Sequence, residues 1–269
     1  MIINLEKVAA IIAEIAEEEI ASRFGVLEKG DIFTKSGPSD FVTAADHAAE
    51  ERLKKALGDL YPGAGFIGEE TAAADPSVLK KLEGDGVFWI VDPLDGTRNF
   101  VEGVREFGSI VALVENGEMR QGWIYAIPEK AFAMGERGEL PAWRGEEIGP
   151  AQTSGAPLTG YRAVGALSPE WRARVIKPLR EKFETEPARC SAYAYINLIR
   201  GKRDFALSSR CSPWDHAAGV LMLREVGGKA QYLDDGAPYT PQATFGRPML
   251  VARSDEAWLR IIASIFQRK

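Results

Sequence analysis

Apolar residues near the start of the chain fall at Leu5, Val8, Ile12 and Ile15, the three- and four-residue spacing that lines one face of a helix running to about Phe24. The stretch EKGDIFTKSGPSDFV breaks that period and reads as a hairpin or loop. TAADHAAEERLKKAL predicts a second helix, opened by Thr43 and closed at Gly58 ahead of Tyr61-Pro62-Gly63. GFIGEE predicts a short strand ending on carboxylates, and GVFWIVD is a continuous apolar run of the kind found in a strand buried on both faces. In FGSIVALVENGEMRQGWIYAI two strands meet at Asn116-Gly117, a strong hairpin signal. KAFAMGERGELPAWRGEEI predicts another hairpin.

After the small, proline-bearing stretch PAQTSGAPLTG the pattern alternates strand and helix. YRAVGAL, KRDFAL, AQYL and RPMLVAR predict strands. SPEWRARVIKPLREKF predicts a helix capped by Ser168 with Pro169 at its first position, and AYAYINLIRG one ended by Gly201. SPWDHAAGVLMLREVGG and SDEAWLRIIASIF, the latter capped by Ser254, complete the set. The change of pattern divides the chain into an α+β part over 1–150 and an α/β part over 151–269.

Composition narrows the classes. At 269 residues and 45% apolar the chain holds enough material for one large core or two adjoining ones. Its N-terminus is acidic, without a basic n-region or cleavage site, and no apolar run approaches the roughly 20 residues of a membrane span. A cytoplasmic address and no membrane partner are therefore expected. Two cysteines and two histidines, His47 and His216, are too few for a disulfide framework or a zinc site, and Cys190 and Cys211 read as small buried hydrophobes. A net charge of -6 leaves no basic footprint for nucleic acid, and attraction of an anionic substrate has to be local.

The local chemistry concentrates in WIVDPLDGTRNF. Asp92 and Asp95 stand three apart, so in a regular strand they would face opposite sides. Pro93 donates no ladder bond and predicts a turn that brings both carboxylates together beyond the strand end. Gly96 allows close backbone approach, and Thr97 to Phe100 predict a helical turn whose free N–H groups suit an anion. Oxygen-only ligands select hard cations, magnesium first where a phosphate is involved. Glu69 and Glu70 after GFIG, and Asp215 in the first turn of a helix, are further candidates.

Each has an ordinary alternative. Asp46 follows Thr43, and Asp215 follows Ser212, at capping-box spacing. Glu69 and Glu70 suit a solvated strand end, Asp95 a turn, and Arg189 and Arg210 an open surface.

The set, in order and spacing, resembles the inositol monophosphatase family of magnesium-dependent, lithium-sensitive phosphatases. The motifs that carry the resemblance are DFVTAAD, GFIGEE, WIVDPLDGTRNF and SPWDHAAG, collinear from about Lys35 to the C-terminus. It implies a five-layered αβαβα sandwich, a homodimer, two or three Mg2+ ions and a small phosphorylated substrate. Glu69 would bind metal, with Glu70 the lesser candidate; Asp92 would bridge two ions, the Leu94 carbonyl would hold one, and Asp95 and Asp215 the other. Thr97 and Asp46 would form a proton-accepting dyad, and the Gly96 and Thr97 amides would receive the phosphate. Most ligands then lie in 1–150, while Asp215 and the leaving-group pocket lie in 151–269. Asp95, Arg189, Cys190, Ser191, Ser208 and Arg210 are the candidates for that pocket.

The chain departs from the family pattern in that pocket. Ser208 stands where inositol-specific members commonly carry a glutamate, and Arg189-Cys190-Ser191-Ala192 replaces a Gly-[ST]-Ala turn. Three readings follow: a phosphatase of inositol monophosphate or a similar polyol phosphate; one of a 3′,5′-bisphosphonucleotide or histidinol phosphate; and a regulatory binding protein that keeps the fold. The clustered acids count against the last, since without a cation they repel one another.

Overall fold

The structure, a computed structural model, describes residues 3–26, 30, 32–34, 41–151, 157–242 and 244–266. Two helices open the chain, α1 (Leu5–Glu19) and α2 (Ala44–Leu60), with the short antiparallel pair β1 (Ile32–Thr34) and β2 (Phe41–Thr43) between them. This pair lies in the stretch read as hairpin or loop; residues 35–40, Asp40 of the DFVTAAD motif among them, lie outside the described residues.

The first sheet contains β3 (Gly65–Gly68), β4 (Val87–Asp95), β5 (Gly108–Glu115), β6 (Glu118–Ala126), β7 (Ala131–Glu136), β8 (Ala142–Trp143) and β9 (Glu146–Glu147), in sequence order across the sheet. Only the β3–β4 pair is parallel; the rest is a meander. Short helices leave two of its strands, α3 (Glu69–Ala74) after β3 and α4 (Thr97–Val101) after β4.

The second sheet has the order β11-β10-β12-β14-β13, from β10 (Thr159–Ala163), β11 (Glu184–Pro187), β12 (Phe205–Cys211), β13 (Lys229–Tyr232) and β14 (Thr244–Ala252). Helices α5 (Pro169–Lys182), α6 (Ser191–Ile199), α7 (Pro213–Glu225) and α8 (Asp255–Phe266) accompany it.

Strand alternation sorts these elements into layers. Trp89 and Val91 of β4 face α1 and α2, while Ile90 between them faces α6 and α7. Met249 and Val251 of β14 look toward the same two helices from the other side, and Leu250 and Ala252 look away, toward α5 and α8. The result is the expected αβαβα sandwich: α1/α2, first sheet, α6/α7, second sheet, α5/α8. The middle layer shares one core between both sheets, so the two halves of the chain are buried against each other through α7.

The structure corrects the sequence expectations in three places. Strand β11 was not predicted; its residues Glu184-Thr185-Glu186-Pro187 carry no apolar alternation because it is an edge strand, held by a parallel ladder to β10 rather than by side-chain burial. Strand β12 runs beyond Leu207 to Cys211, because pairing with β14 persists through the polar Ser208 and Arg210. Finally, Pro93 does not turn the chain: β4 continues through it to Asp95.

The middle layer is tight at one glycine. A Cβ on Gly219 of α7 would lie 2.1–2.4 Å from the Tyr195 ring, whereas one on Gly58 of α2 would meet nothing within 4 Å. Helix propensity alone favours alanine over glycine by about 1 kcal/mol at either position. Gly58→Ala is therefore expected to stabilise the protein, and Gly219→Ala to destabilise it by about 1–3 kcal/mol through overpacking. Chemical denaturation of both variants checks this, and equal signs would contradict the close α6–α7 contact.

Candidate active site

The site begins with an irregularity in β4. Asp92 pairs with Ile110 and Asp95 with Gly108, so three steps on β4 are matched by two on β5. The extra residue is a β-bulge, and it cancels the odd spacing that would have set the two carboxylates on opposite faces. Pro93 suits the bulge because it has no N–H to leave unpaired, and its carbonyl accepts the Ser109 hydroxyl at 2.6 Å. Convergence of the two acids holds as expected, by a bulge instead of a turn.

Asp215 joins them from the first turn of α7, and Asp92, Asp95 and Asp215 offer oxygens within 4.8 Å of one another. Ser212 makes no side-chain cap to the helix backbone; its hydroxyl bonds the Asp215 carboxylate instead, so the capping-box alternative fails for this residue. Glu69, the first residue of α3, lies close enough to Asp92 to hydrogen-bond it and to raise its pKa by charge. Glu70 is turned away from this cavity and is buried, with its amide bonded to Glu50.

Burial lifts all three aspartates above the ordinary carboxylate range. For Asp92 the desolvation is reinforced by the negative charges of Glu69, Asp95 and Asp215. Desolvation raises Asp95 as well, against hydrogen bonds from the Cys190 thiol and the amides of Ala192 and Ser191. Asp215 is pushed well up by burial and then by Asp95 and Glu69, with the Ser212 and Ser191 hydroxyls opposing.

Acids crowded in this way either hold protons or hold a cation. Asp92 favours the cation: it is 2% exposed and its Oδ1 has no hydrogen-bond partner among the described residues. A buried, orphaned carboxylate oxygen among other carboxylates, with no nitrogen donor in the set, fits a hard divalent ion.

The neighbouring corner holds Thr97 against Asp46. The Thr97 hydroxyl has two acceptors, Asp46 Oδ1 at 3.1 Å and the Leu94 carbonyl at 2.9 Å. Asp46 Oδ2 accepts the amide and hydroxyl of Thr43 at 2.7 and 2.6 Å, completing a capping box. Asp46 is thus both a cap and the partner of Thr97. Gly96 precedes α4 at φ +85°, and a Cβ on it would approach the Glu106 carbonyl at 3.0 Å and Cys190 Sγ at 3.3 Å. Glycine is required there on both counts.

A cavity of about 300 Å³ opens over the cluster, lined by every predicted site residue except Glu70 and Asp46, the latter lying behind Thr97. Cys190 is not merely an apolar filler: its Sγ donates to Asp95 Oδ2 at 2.8 Å, beside the Ala192 amide at 2.6 Å, and burial holds the thiol well above its usual pKa. Ser208 is buried on β12, and Arg210 stands exposed two residues on. Arg189 is exposed and bonded to Glu102 at 3.3 Å.

Sequence reasoning missed the residues behind this surface. His216 Nε2 donates to the Arg210 carbonyl at 2.9 Å and its Nδ1 accepts the Tyr195 hydroxyl at 2.7 Å, so the ring is held neutral, its pKa lowered by burial to about 4. Glu50, one turn after Asp46 on α2, was also overlooked; the four-residue spacing that puts both acids on one helix face was the available signal.

The layered α/β scaffold thus brings a carboxylate cluster suited to a hard cation to the end of a bulged strand, the site of a candidate metal-dependent enzyme. The comparisons make the class specific. The family model "Inositol monophosphatase family" matches residues 2–268, and the chain belongs to that family. It is a phosphoric monoester hydrolase. It is 33% identical to an inositol-1-monophosphatase of Bacillus subtilis over 78% of each chain, and 31% identical to a histidinol-phosphatase of Mycobacterium tuberculosis over 84% of this chain and 86% of the relative. Among solved structures, a Thermotoga maritima IMPase superposes with TM-score 0.78 at 22% identity over 97% of both chains, which bears on the fold. No helix among the described residues is long and apolar enough to cross a membrane.

The raised carboxyls make a stability prediction with a definite sign. Groups whose pKa is higher in the fold than in the unfolded chain stabilise the fold at low pH and cease to do so as pH rises through their folded values. In EDTA, Tm is therefore expected to fall as pH rises above the ordinary carboxylate range of about 4, and Mg2+ to restore more the higher the pH. Asp92→Asn should flatten the EDTA profile. A Mg2+ effect independent of pH, with an unchanged slope in Asp92→Asn, would contradict the crowding of these acids.

Proposed function

We propose that the protein is a Mg2+-dependent phosphomonoesterase that hydrolyses a small polyol phosphate, such as inositol monophosphate, by direct attack of water. The observation that carries this reading is the buried Asp92, whose Oδ1 has no hydrogen-bond partner among the described residues and whose carboxylate clusters with those of Asp95 and Asp215. Two or three Mg2+ ions would be held by Glu69, Asp92, Asp95, Asp215 and the Leu94 carbonyl. Bound there, Mg2+ would neutralise the phosphate, lower the pKa of the attacking water and stabilise the departing alkoxide.

The chain's own groups do the rest. The Gly96 and Thr97 amides receive the phosphate oxygens. Thr97 Oγ1 takes a proton from the attacking water as its own hydroxyl proton passes to Asp46 Oδ1, over the 3.1 Å contact. Asp46 Oδ1 serves because Oδ2 is already committed to Thr43. The water oxygen bonds phosphorus in line as the ester P–O bond breaks, and the leaving oxygen is protonated from solvent. No phosphoenzyme forms: the spacing is D-x-x-D, not the D-x-D of phosphatases with a nucleophilic aspartate. The family reading further entails lithium sensitivity, a homodimer and a cytoplasmic address.

A second reading of the substrate is favoured by the rim. Ser208 supplies no charged acceptor for a polyol hydroxyl, and among the described residues no acid pairs with Arg210. With Arg189 this supports a leaving group bearing a second anion, as in a 3′,5′-bisphosphonucleotide, by bidentate pairing.

Turnover of inositol 1-phosphate, histidinol phosphate and 3′-phosphoadenosine 5′-phosphate with Mg2+ tests both readings. Asp92→Asn should lower kcat at saturating Mg2+ by on the order of a thousandfold, the equivalent of several kcal/mol of transition-state stabilisation. Near-normal turnover in that variant would refute the metal assignment. If the rim reads a second anion, Arg210→Ala raises KM for the bisphosphate and leaves inositol 1-phosphate unaffected.

A further inference from the structure

We infer that Glu50 is a positioning residue for the acidic site: buried on α2, it fixes the first turn of α3 and through it the carboxylate of Glu69. Glu50 is 5% exposed, and both its oxygens are engaged. Oε2 accepts the Glu70 amide at 2.7 Å, while Oε1 accepts the Thr71 amide at 2.7 Å and its hydroxyl at 2.6 Å.

Helix α3 needs such a partner. Its N-cap is Gly68, which makes no side-chain cap, so its first amides would otherwise be orphaned in a buried setting. The same contact explains the glycine: a Cβ on Gly68 would lie 2.3–2.6 Å from the Glu50 carboxyl group. The chain has replaced a local cap with one supplied from 20 residues upstream.

Charge sharpens the point. A buried carboxylate next to Glu69 and Glu70 adds repulsion to a region already crowded with acids, and it is tolerated because helix N-terminal amides carry partial positive charge. A neutral glutamine would aim an NH2 group at one of those N–H donors. Asp46 and Glu50 stand one turn apart on α2, the first holding Thr97 and the second holding the start of α3. One face of one rigid helix therefore sets the relative position of the proton-accepting corner and the Glu69 corner.

This inference rests on the reading of Glu69 as a metal ligand, and the test separates the two. Mg2+-dependent thermal shifts are measured on the substrate-free wild type, Glu50→Gln, Glu69→Gln and the double variant. In Glu50→Gln, the Mg2+ concentration at half-maximal shift is expected to rise on the order of 10–100-fold, as when a residue supporting a metal ligand is lost. In the Glu69→Gln background the same change should move that midpoint by less than about twofold, because the effect acts through Glu69. A Glu50→Gln midpoint within about twofold of wild type, or an undiminished effect without Glu69, overturns the inference. Should Glu50→Gln not fold, Thr71→Val, which removes one donor to Oε1, is expected to raise the midpoint by a smaller factor, and an unchanged midpoint there overturns it equally. A wild type showing no Mg2+ shift overturns the metal reading itself, a distinguishable result.

Discussion

One extra residue in β4 governs the active site. Without the bulge between Asp92 and Asp95, a spacing of three would send one carboxylate into the α1/α2 layer and the other toward α7. With it, both acids emerge on the α7 side, where Asp215 and Glu69 meet them. The bulge is in turn secured by its immediate neighbours. Pro93 offers no N–H to be orphaned, Ser109 satisfies its carbonyl, and Gly96 accepts the left-handed turn that starts α4. The bulge thus does for a spacing of three what a regular ladder does for residues two apart.

The same convergence makes the site energetically unfavourable on its own. Buried aspartates held above the ordinary carboxylate range are a cost to the fold at neutral pH, and the surrounding bonds relieve it only in part. Asp95 is helped by the Cys190 thiol and the Ala192 amide, and Asp215 by two serine hydroxyls. Asp92 receives nothing at Oδ1. Fixed donors therefore satisfy the acids at the edge of the cluster and leave its centre open, which is the distribution a cation site requires and a purely structural polar cluster would avoid.

Legibility from the sequence followed how local each cause is. Helix starts at Ser168 and Thr43, the Asn116-Gly117 hairpin and the doubly buried β4 were readable because caps, turns and apolar runs act within a few residues. The Asp92/Asp95/Asp215 set was readable as candidate chemistry, and the collinear motifs tied it to a family. Long-range pairings were not. Edge strand β11 has no burial pattern to betray it, and the bulge depends on the register with β5, which Pro93 alone misreports as a turn. Cys190 looked like a hydrophobe because nothing in its neighbours announces Asp95, which lies 95 residues away. Glu50 and His216 act through backbone groups of other segments, and such partnerships leave no motif.

The two sides of the cavity are built on different terms. The acid side belongs to strand ends and helix starts whose positions are fixed by buried bonds, from Asp46 to Thr97 and from Asp95 to Ala192. Its geometry cannot drift without unpacking the middle layer. The rim carries exposed Arg189, tied to Glu102 at the surface, and Arg210, whose backbone is anchored by His216 while its guanidinium projects from the end of β12. Substitution at Ser208 or Arg210 alters what the cavity can hold without disturbing the carboxylates that a metal would occupy. A scaffold divided in this way keeps one hydrolytic chemistry while the leaving group changes, and it accounts for why the acids identify a reaction class when the rim has to identify the substrate.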